Sequence, residues 1–128
     1  MAKGHDRHAA RQAEVADLGK DLSRRARSKC ELCGISSTLR PTELTPLASE
    51  PNIDWAALLC PQCRQSIDAK KMNLSKDYQF LRESIWSDIA PVQILAIRLL
   101  RRLAESGLDW AQSSLDDLYV DPEIEDRI

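Results

Sequence analysis

The chain has 128 residues, 43% hydrophobic and 30% charged, with a formal net charge of −2. This length suits one domain, and the composition excludes collagen-like, low-complexity and wholly disordered chains. Aromatic residues make up only 5%, too few for a β-sandwich with an aromatic core. No apolar run reaches the roughly 18 residues of a membrane span. The strongest, residues 94–103, carries Arg98, Arg101 and Arg102. The polar start, Met-Ala-Lys-Gly-His-Asp-Arg-His, lacks the apolar stretch of a secretory signal, so a cytoplasmic protein without membrane contact is expected. Charge is uneven: residues 1–33 carry a net +3, residues 34–104 a net +2 and residues 105–128 a net −7.

From Asp6 to Arg27, the apolar residues Ala9, Ala13, Val15, Ala16, Leu18, Leu22 and Ala26 recur near helical spacing. They predict one helix with a thin, alanine-rich inner stripe. Gly19 weakens its middle by about 1 kcal/mol relative to alanine. Arg24, Arg25, Arg27 and Lys29 form a basic run at its C-terminal end. There they complement the helix dipole or, alternatively, meet phosphates. His5 and His8 read as solvated residues on a frayed end.

All four cysteines fall in two pairs, Cys30-Glu-Leu-Cys33 and Cys60-Pro-Gln-Cys63. A two-residue gap lets one tight turn present both sulfurs to a single ion, and zinc takes four such thiolates tetrahedrally. Gly34 suits the end of the first turn, and Pro61 stiffens the second. A redox pair would follow a strand in a βαβ unit, which is absent here, and disulfides are disfavoured in a reducing compartment. One zinc ion is therefore expected on Cys30, Cys33, Cys60 and Cys63. Four thiolates leave no open coordination position, so its role is structural.

Between the pairs lie 26 residues interrupted by Pro41, Pro46 and Pro51. Leu39, Leu44 and Leu47 could alternate in short strands there, and Trp55-Ala-Ala-Leu-Leu59 leads as a strand or turn into the second pair. Residues 64–71 continue a short helix from that pair. Ser75 predicts the cap of a helix over 76–86, with Tyr78, Leu81, Ile85 and Trp86 inward. Pro91 opens a helix to about 106, with Val92, Leu95, Ala96, Leu99 and Leu103 on one stripe and Ile94 and Leu100 widening it. This is read as the central core helix or, alternatively, a dimer face. Arg98, Arg101, Arg102 and Glu105 lie opposite, with Arg101 and Glu105 able to pair. Gly107 stops the helix. A last helix over 109–118 turns Trp110, Ala111, Leu115, Leu118 and Tyr119 inward, and Pro122 ends regular order. The expected architecture is mainly α with a small β-containing treble-clef zinc finger in a single domain. Its segments are a basic helix (1–28), the zinc-binding clef (29–72), a helical region (73–122) and an acidic tail (123–128).

Two resemblances carry this further. Cys30-Glu-Leu-Cys33-Gly34, Glu43-Leu-Thr-Pro46-Leu47 and Leu58-Leu-Cys60-Pro-Gln-Cys63-Arg64 resemble, in order, the treble-clef zinc knuckles of HNH nucleases. In that family a catalytic histidine usually stands where this chain has Glu43, and another often stands where it has Arg64. The resemblance therefore implies a retained zinc scaffold without the nuclease's acid–base and metal-binding histidines. More broadly, the chain resembles the PhnA-like family, small bacterial proteins named after an alkylphosphonate-utilisation operon. The residues that carry this are Arg27-Ser-Lys-Cys30, Leu59-Cys60-Pro-Gln-Cys63-Arg64-Gln65, Trp86-Ser-Asp-Ile-Ala-Pro91, Ile97-Arg-Leu-Leu-Arg-Arg-Leu103 and Leu118-Tyr-Val-Asp-Pro122. No His/Asp centre with open positions supports phosphonate hydrolysis.

The expected role is thus a zinc-held, non-enzymatic binding or adaptor module. Nucleic acid is one partner class, met by Arg24, Arg25, Arg27, Lys29, Arg64, Lys70 and Lys71. A protein partner, including a second copy of the chain, is the other, and a metal-dependent hydrolase or HNH-type nuclease is the third and weakest alternative.

Overall fold

The computed structural model describes residues 2–128, and side chains from Arg7 onward. Two helices open it, α1 (Ala2–Asp17) and α2 (Gly19–Ala26). The expected single helix is bent at Leu18, whose N–H reaches back only to the Val15 carbonyl (3.1 Å) before α-type bonding resumes from Leu22 to Leu18 (2.9 Å). The tighter turn beside Gly19 lets α1 lie along the first strand and α2 along the second. On α1, Ala9, Ala13 and Ala16 are exposed, because methyl groups alone bury too little area to hold that face inward. His8 is exposed, and His5 lies outside the described side chains.

α2 ends at Arg27 and Ser28, both left-handed at φ 55° and 59°, and Ser28 N–H closes the turn on the Ser23 carbonyl (2.9 Å). The first cysteine turn follows, and then β1 (Arg40–Glu43) and β2 (Ala56–Leu59) pair antiparallel, with Arg40 opposite Leu59 and Glu43 opposite Ala56. Of the expected strand leucines, Leu44 is buried just past β1, Leu39 is half-buried and Leu47 is exposed.

Every residue of β2 is buried. Ala57 and Leu59 join the main core, while Ala56 and Leu58 join a smaller one with Leu22 of α2. Burial on both faces explains why the strand reads as an unbroken apolar run instead of an alternation. Helix α3 (Pro61–Asp68) follows directly.

The expected helix over 76–86 contracts to α4 (Leu81–Ser84). Ser75 does not cap it: its N–H and hydroxyl both turn to the Asn73 carboxamide oxygen (3.1 and 2.6 Å), and Asp77 likewise accepts from Gln79 N–H (2.9 Å). These local side-chain bonds compete with helix formation. Ile85 takes the inner position, and Trp86 points outward, 56% exposed.

Helix α5 (Ala90–Glu105) is the central element, as its stripe predicts, and buries nine residues from Pro91 to Leu103. Each fully buried leucine or isoleucine contributes about 1.5–3 kcal/mol. Around it pack α3, α4, β2 and α6 (Asp109–Asp116). Gly107, at φ 96°, provides the stop, with Leu108 N–H reaching the Leu103 carbonyl (3.2 Å). The polar side of α5 is not simply solvated. Arg102 donates to the Ser66 and Ala69 carbonyls at the end of α3, and Arg98 donates to the Thr45 (2.8 Å) and Arg127 (3.0 Å) carbonyls. Arg101 pairs with Glu125 at 3.4 Å instead of Glu105.

α6 ends two residues before the expected limit. In the extended chain beyond it, Leu118 and Val120 pack inward while Tyr119 is 80% exposed. Pro122 begins a helix instead of ending order: α7 (Pro122–Glu125) is capped by the Asp121 carboxylate (3.0 Å to Glu123 N–H). The acidic tail is therefore attached, with Ile124 and Ile128 packed against the main core. The chain is mostly helical, carries one two-stranded sheet, and forms a single compact domain. Among the described residues, no helix is long and apolar enough to cross a membrane.

Candidate metal centre

Two tight turns, one before β1 and one after β2, supply four sulfurs. In the first, Cys30 N–H donates to the Ile35 carbonyl (2.8 Å), and Gly34 N–H donates to the Cys30 carbonyl (2.9 Å). Gly34 adopts φ 83°, the left-handed conformation this closure requires and a β-carbon would strain. In the second, Cys60 ends the run of β2 and stands at the N-cap of α3, and Cys63 lies in the first turn of that helix. The sequence thus places one ligand at a strand end and one over a helix N-terminus, where the dipole favours thiolate.

The four Sγ atoms of Cys30, Cys33, Cys60 and Cys63 lie within 4.8 Å of one another, and Cys33 and Cys60 approach to 3.6 Å. A tetrahedral ion with metal–sulfur bonds near 2.3 Å places its sulfurs about 3.8 Å apart, so the donor set fits such an ion with small closure. Cys30, Cys60 and Cys63 are buried and Cys33 is half-buried.

The electrostatics point the same way. The Cys30 thiol is held down to about 4, first by the Cys63 thiol that hydrogen-bonds to it, against the cost of burial, and further by backbone bonds at Cys33, Cys60 and Leu32. Cys33 is pushed up to about 11, chiefly by burial. Cys63 is also raised, first by its bond to Cys30 and then by burial. The cluster alone therefore stabilises one negative charge and opposes more. A cation among the sulfurs would reverse that opposition.

The two turns are fastened together by a residue that the spacing does not single out. Glu31, within the first turn, donates its N–H to the Leu58 carbonyl (2.8 Å) and accepts the Leu58 N–H on its carboxylate (2.8 Å). The same carboxylate takes two bonds from the Arg25 guanidinium (2.9 and 2.8 Å), and its side chain is 2% exposed. Arg25 also donates to the Ile53 (2.7 Å) and Ala56 (2.9 Å) carbonyls. Leu58 lies two residues before Cys60, so this clamp fixes the first turn against the strand that delivers the second. From the other side, Ser84 of α4 donates to the Leu32 carbonyl (2.6 Å).

The cations expected on a nucleic-acid surface are dispersed. Arg25 is committed to the clamp and is not a surface group. Arg24, Arg27 and Lys29 are exposed around the end of α2. Lys70 and Lys71 line a separate hollow with Met72, Leu74 and Arg102. Arg64 faces a third place, a cleft between α1, β1 and α3 that also holds Glu43. Glu43 accepts two bonds from Arg11 (3.0 and 2.7 Å). The long-range arginine contacts left no periodic signal in the sequence. Among the described residues, the four cysteines are the one cluster of metal-ligating groups. Comparison of the chain with protein-family models, curated proteins and solved structures finds no match.

Proposed function

We propose that this chain is a non-enzymatic binding module whose fold is held by one structural zinc ion on Cys30, Cys33, Cys60 and Cys63. The observation that carries the reading is the convergence of four sulfurs within 4.8 Å from two turns far apart in sequence. An all-sulfur tetrahedron is a site for zinc or iron, and zinc is the usual structural choice. The order of cysteine turn, two-stranded sheet and helix with ligands at its start supports a treble clef, and with it the resemblance to the PhnA-like and HNH patterns.

Two features support a non-catalytic role. Four thiolates fill the tetrahedron, leaving zinc no position for water or substrate. Glu43, where the nuclease pattern has a histidine, is engaged by Arg11. The exposed cations Arg24, Arg27 and Lys29 favour contact with nucleic-acid phosphates, too few for more than weak, salt-sensitive binding. A second reading, a protein partner or second copy, draws on Trp86 and Tyr119, large aromatics that lie 56% and 80% exposed.

The test combines elemental analysis with titration of labelled DNA and RNA at low and moderate salt, with Mg2+ or Mn2+ present. One zinc per chain, weak binding lost as salt rises, and no cleavage are expected. Absence of bound metal would refute the zinc reading, and cleavage that disappears in Glu43→Ala would refute the non-enzymatic one. No binding at low salt would leave the protein-partner reading.

A further inference from the structure

The cleft between α1, β1 and α3 encloses about 560 Å³ and is lined by Arg11, Arg40, Glu43 and Arg64, with His8 at its edge. Its charges are not equivalent. Arg11 and Glu43 satisfy each other through two bonds, and Arg11 also donates to the Ala48 carbonyl (2.8 Å). That pair is electrically closed. Arg40 and Arg64 form no ion pair among the described residues, and the Nε of Arg64 is buried without any hydrogen-bond partner. A buried guanidinium N–H left without an acceptor is costly. Around these groups lie Val15, Ala16, Pro41 and Leu47, an apolar wall.

We infer that this cleft is a binding site for a small phosphate monoester, its phosphate held by Arg40 and Arg64 and its organic part laid against Val15, Pro41 and Leu47. The inference deepens the binding-module reading by naming a ligand class. Three lines carry it. The volume falls within the usual range of small-ligand sites, and such sites join apolar walls to a few placed polar groups. Two uncompensated guanidinium groups match the charge of a phosphate monoester, about −1.5 to −2 at neutral pH. Guanidinium presents parallel N–H donors in the geometry that phosphate oxygens accept. Glu43 does not oppose the anion strongly, because Arg11 neutralises it.

The experiment is calorimetric titration of the full chain with phenyl phosphate, inorganic phosphate and a short single-stranded oligonucleotide at matched ionic strength. Zinc content is measured on the same sample. Phenyl phosphate is expected to bind more tightly than inorganic phosphate, because only it uses the apolar wall. Arg40→Gln and Arg64→Gln are each expected to weaken it about tenfold, with zinc content unchanged. Lys71→Gln, in a different hollow, should have no effect. Arg64→Lys should recover only part of the loss, because a point charge lacks the fork. Zinc-loaded protein that binds neither phosphate compound would overturn the inference while leaving the zinc reading intact. So would binding indifferent to Arg40→Gln and Arg64→Gln, or binding of the oligonucleotide alone. Metal-free protein that still binds phenyl phosphate through Arg64 would uphold the inference and remove the zinc reading.

Discussion

The two halves of the molecule are held by different forces. The part around the cysteines, residues 18–68, joins the main core through Leu32, Leu44, Ala57 and Leu59, adds a small apolar core of Leu22, Ala56 and Leu58, and is fastened further by the Glu31–Arg25 clamp beside four converging sulfurs. The part around α5 relies on burial: Ile94, Ile97, Leu99, Leu100 and Leu103 are 0–2% exposed, and α4, α6 and α7 close over them. A short sheet with proline-rich loops buries little apolar area of its own, so polar fastening and the proposed metal add to the surface it shares with α5. The helical half needs no such device.

Breaking the metal site should produce the largest effect. Metal binding in small sites is mostly folding free energy, so chelation or Cys60→Ser is expected to destabilise the cysteine half by several kcal/mol. Hydrogen exchange should rise across 28–68 while α5 stays protected. Uniform exchange across the whole chain would show that the halves unfold as one unit.

Removing one partner of a buried ion pair costs about 3–5 kcal/mol. Glu31→Ala should fall near the lower end of that range, because Arg25 retains the Ile53 and Ala56 carbonyls. It should also accelerate metal loss to a chelator, since the first turn is no longer fixed to β2. A denaturation midpoint within error of the parent would contradict the clamp. Leu100→Ala, in the other half, should cost about 2–5 kcal/mol by leaving a cavity. Its folded fraction should keep the metal at full stoichiometry, which distinguishes it from Glu31→Ala.

The smallest effect concerns the end of α2. Ser28 is held at φ 59° without being glycine, and left-handed backbone costs an L-residue about 1 kcal/mol. Ser28→Gly should therefore stabilise slightly, by less than about 1 kcal/mol because glycine also gains entropy in the unfolded chain. A lower melting temperature would mean that the Ser28 side chain makes a contribution the hydrogen bonds do not reveal.

The contrast between the halves also explains what could be read in advance. The stripe of α5 and the stop at Gly107 are legible, because apolar periodicity and glycine preference are local signals. The four-cysteine cluster is legible because paired two-residue spacing is a pattern that metal coordination uses. Glu31 and Arg25 are not: their bonds to Leu58, Ile53 and Ala56 span chain distances with no period, so in the sequence Arg25 reads as a surface cation. Ser75 is ambiguous for a related reason, since a good cap residue is equally a good turn residue when Asn73 stands two positions before it. Pro122 could open or close a helix, and the cap at Asp121 decides the matter. The dispersal of Arg24, Arg64 and Lys70 over separate surfaces follows from tertiary placement, which composition cannot convey.

X-ray absorption at the zinc edge of the purified protein reports the metal and its coordination shell together. One zinc per chain is expected, with four sulfur neighbours at about 2.3 Å and no nitrogen or oxygen in the shell, reduced to a disordered or absent signal in Cys60→Ser. A shell containing nitrogen or oxygen, or a parent protein without bound metal, would contradict it.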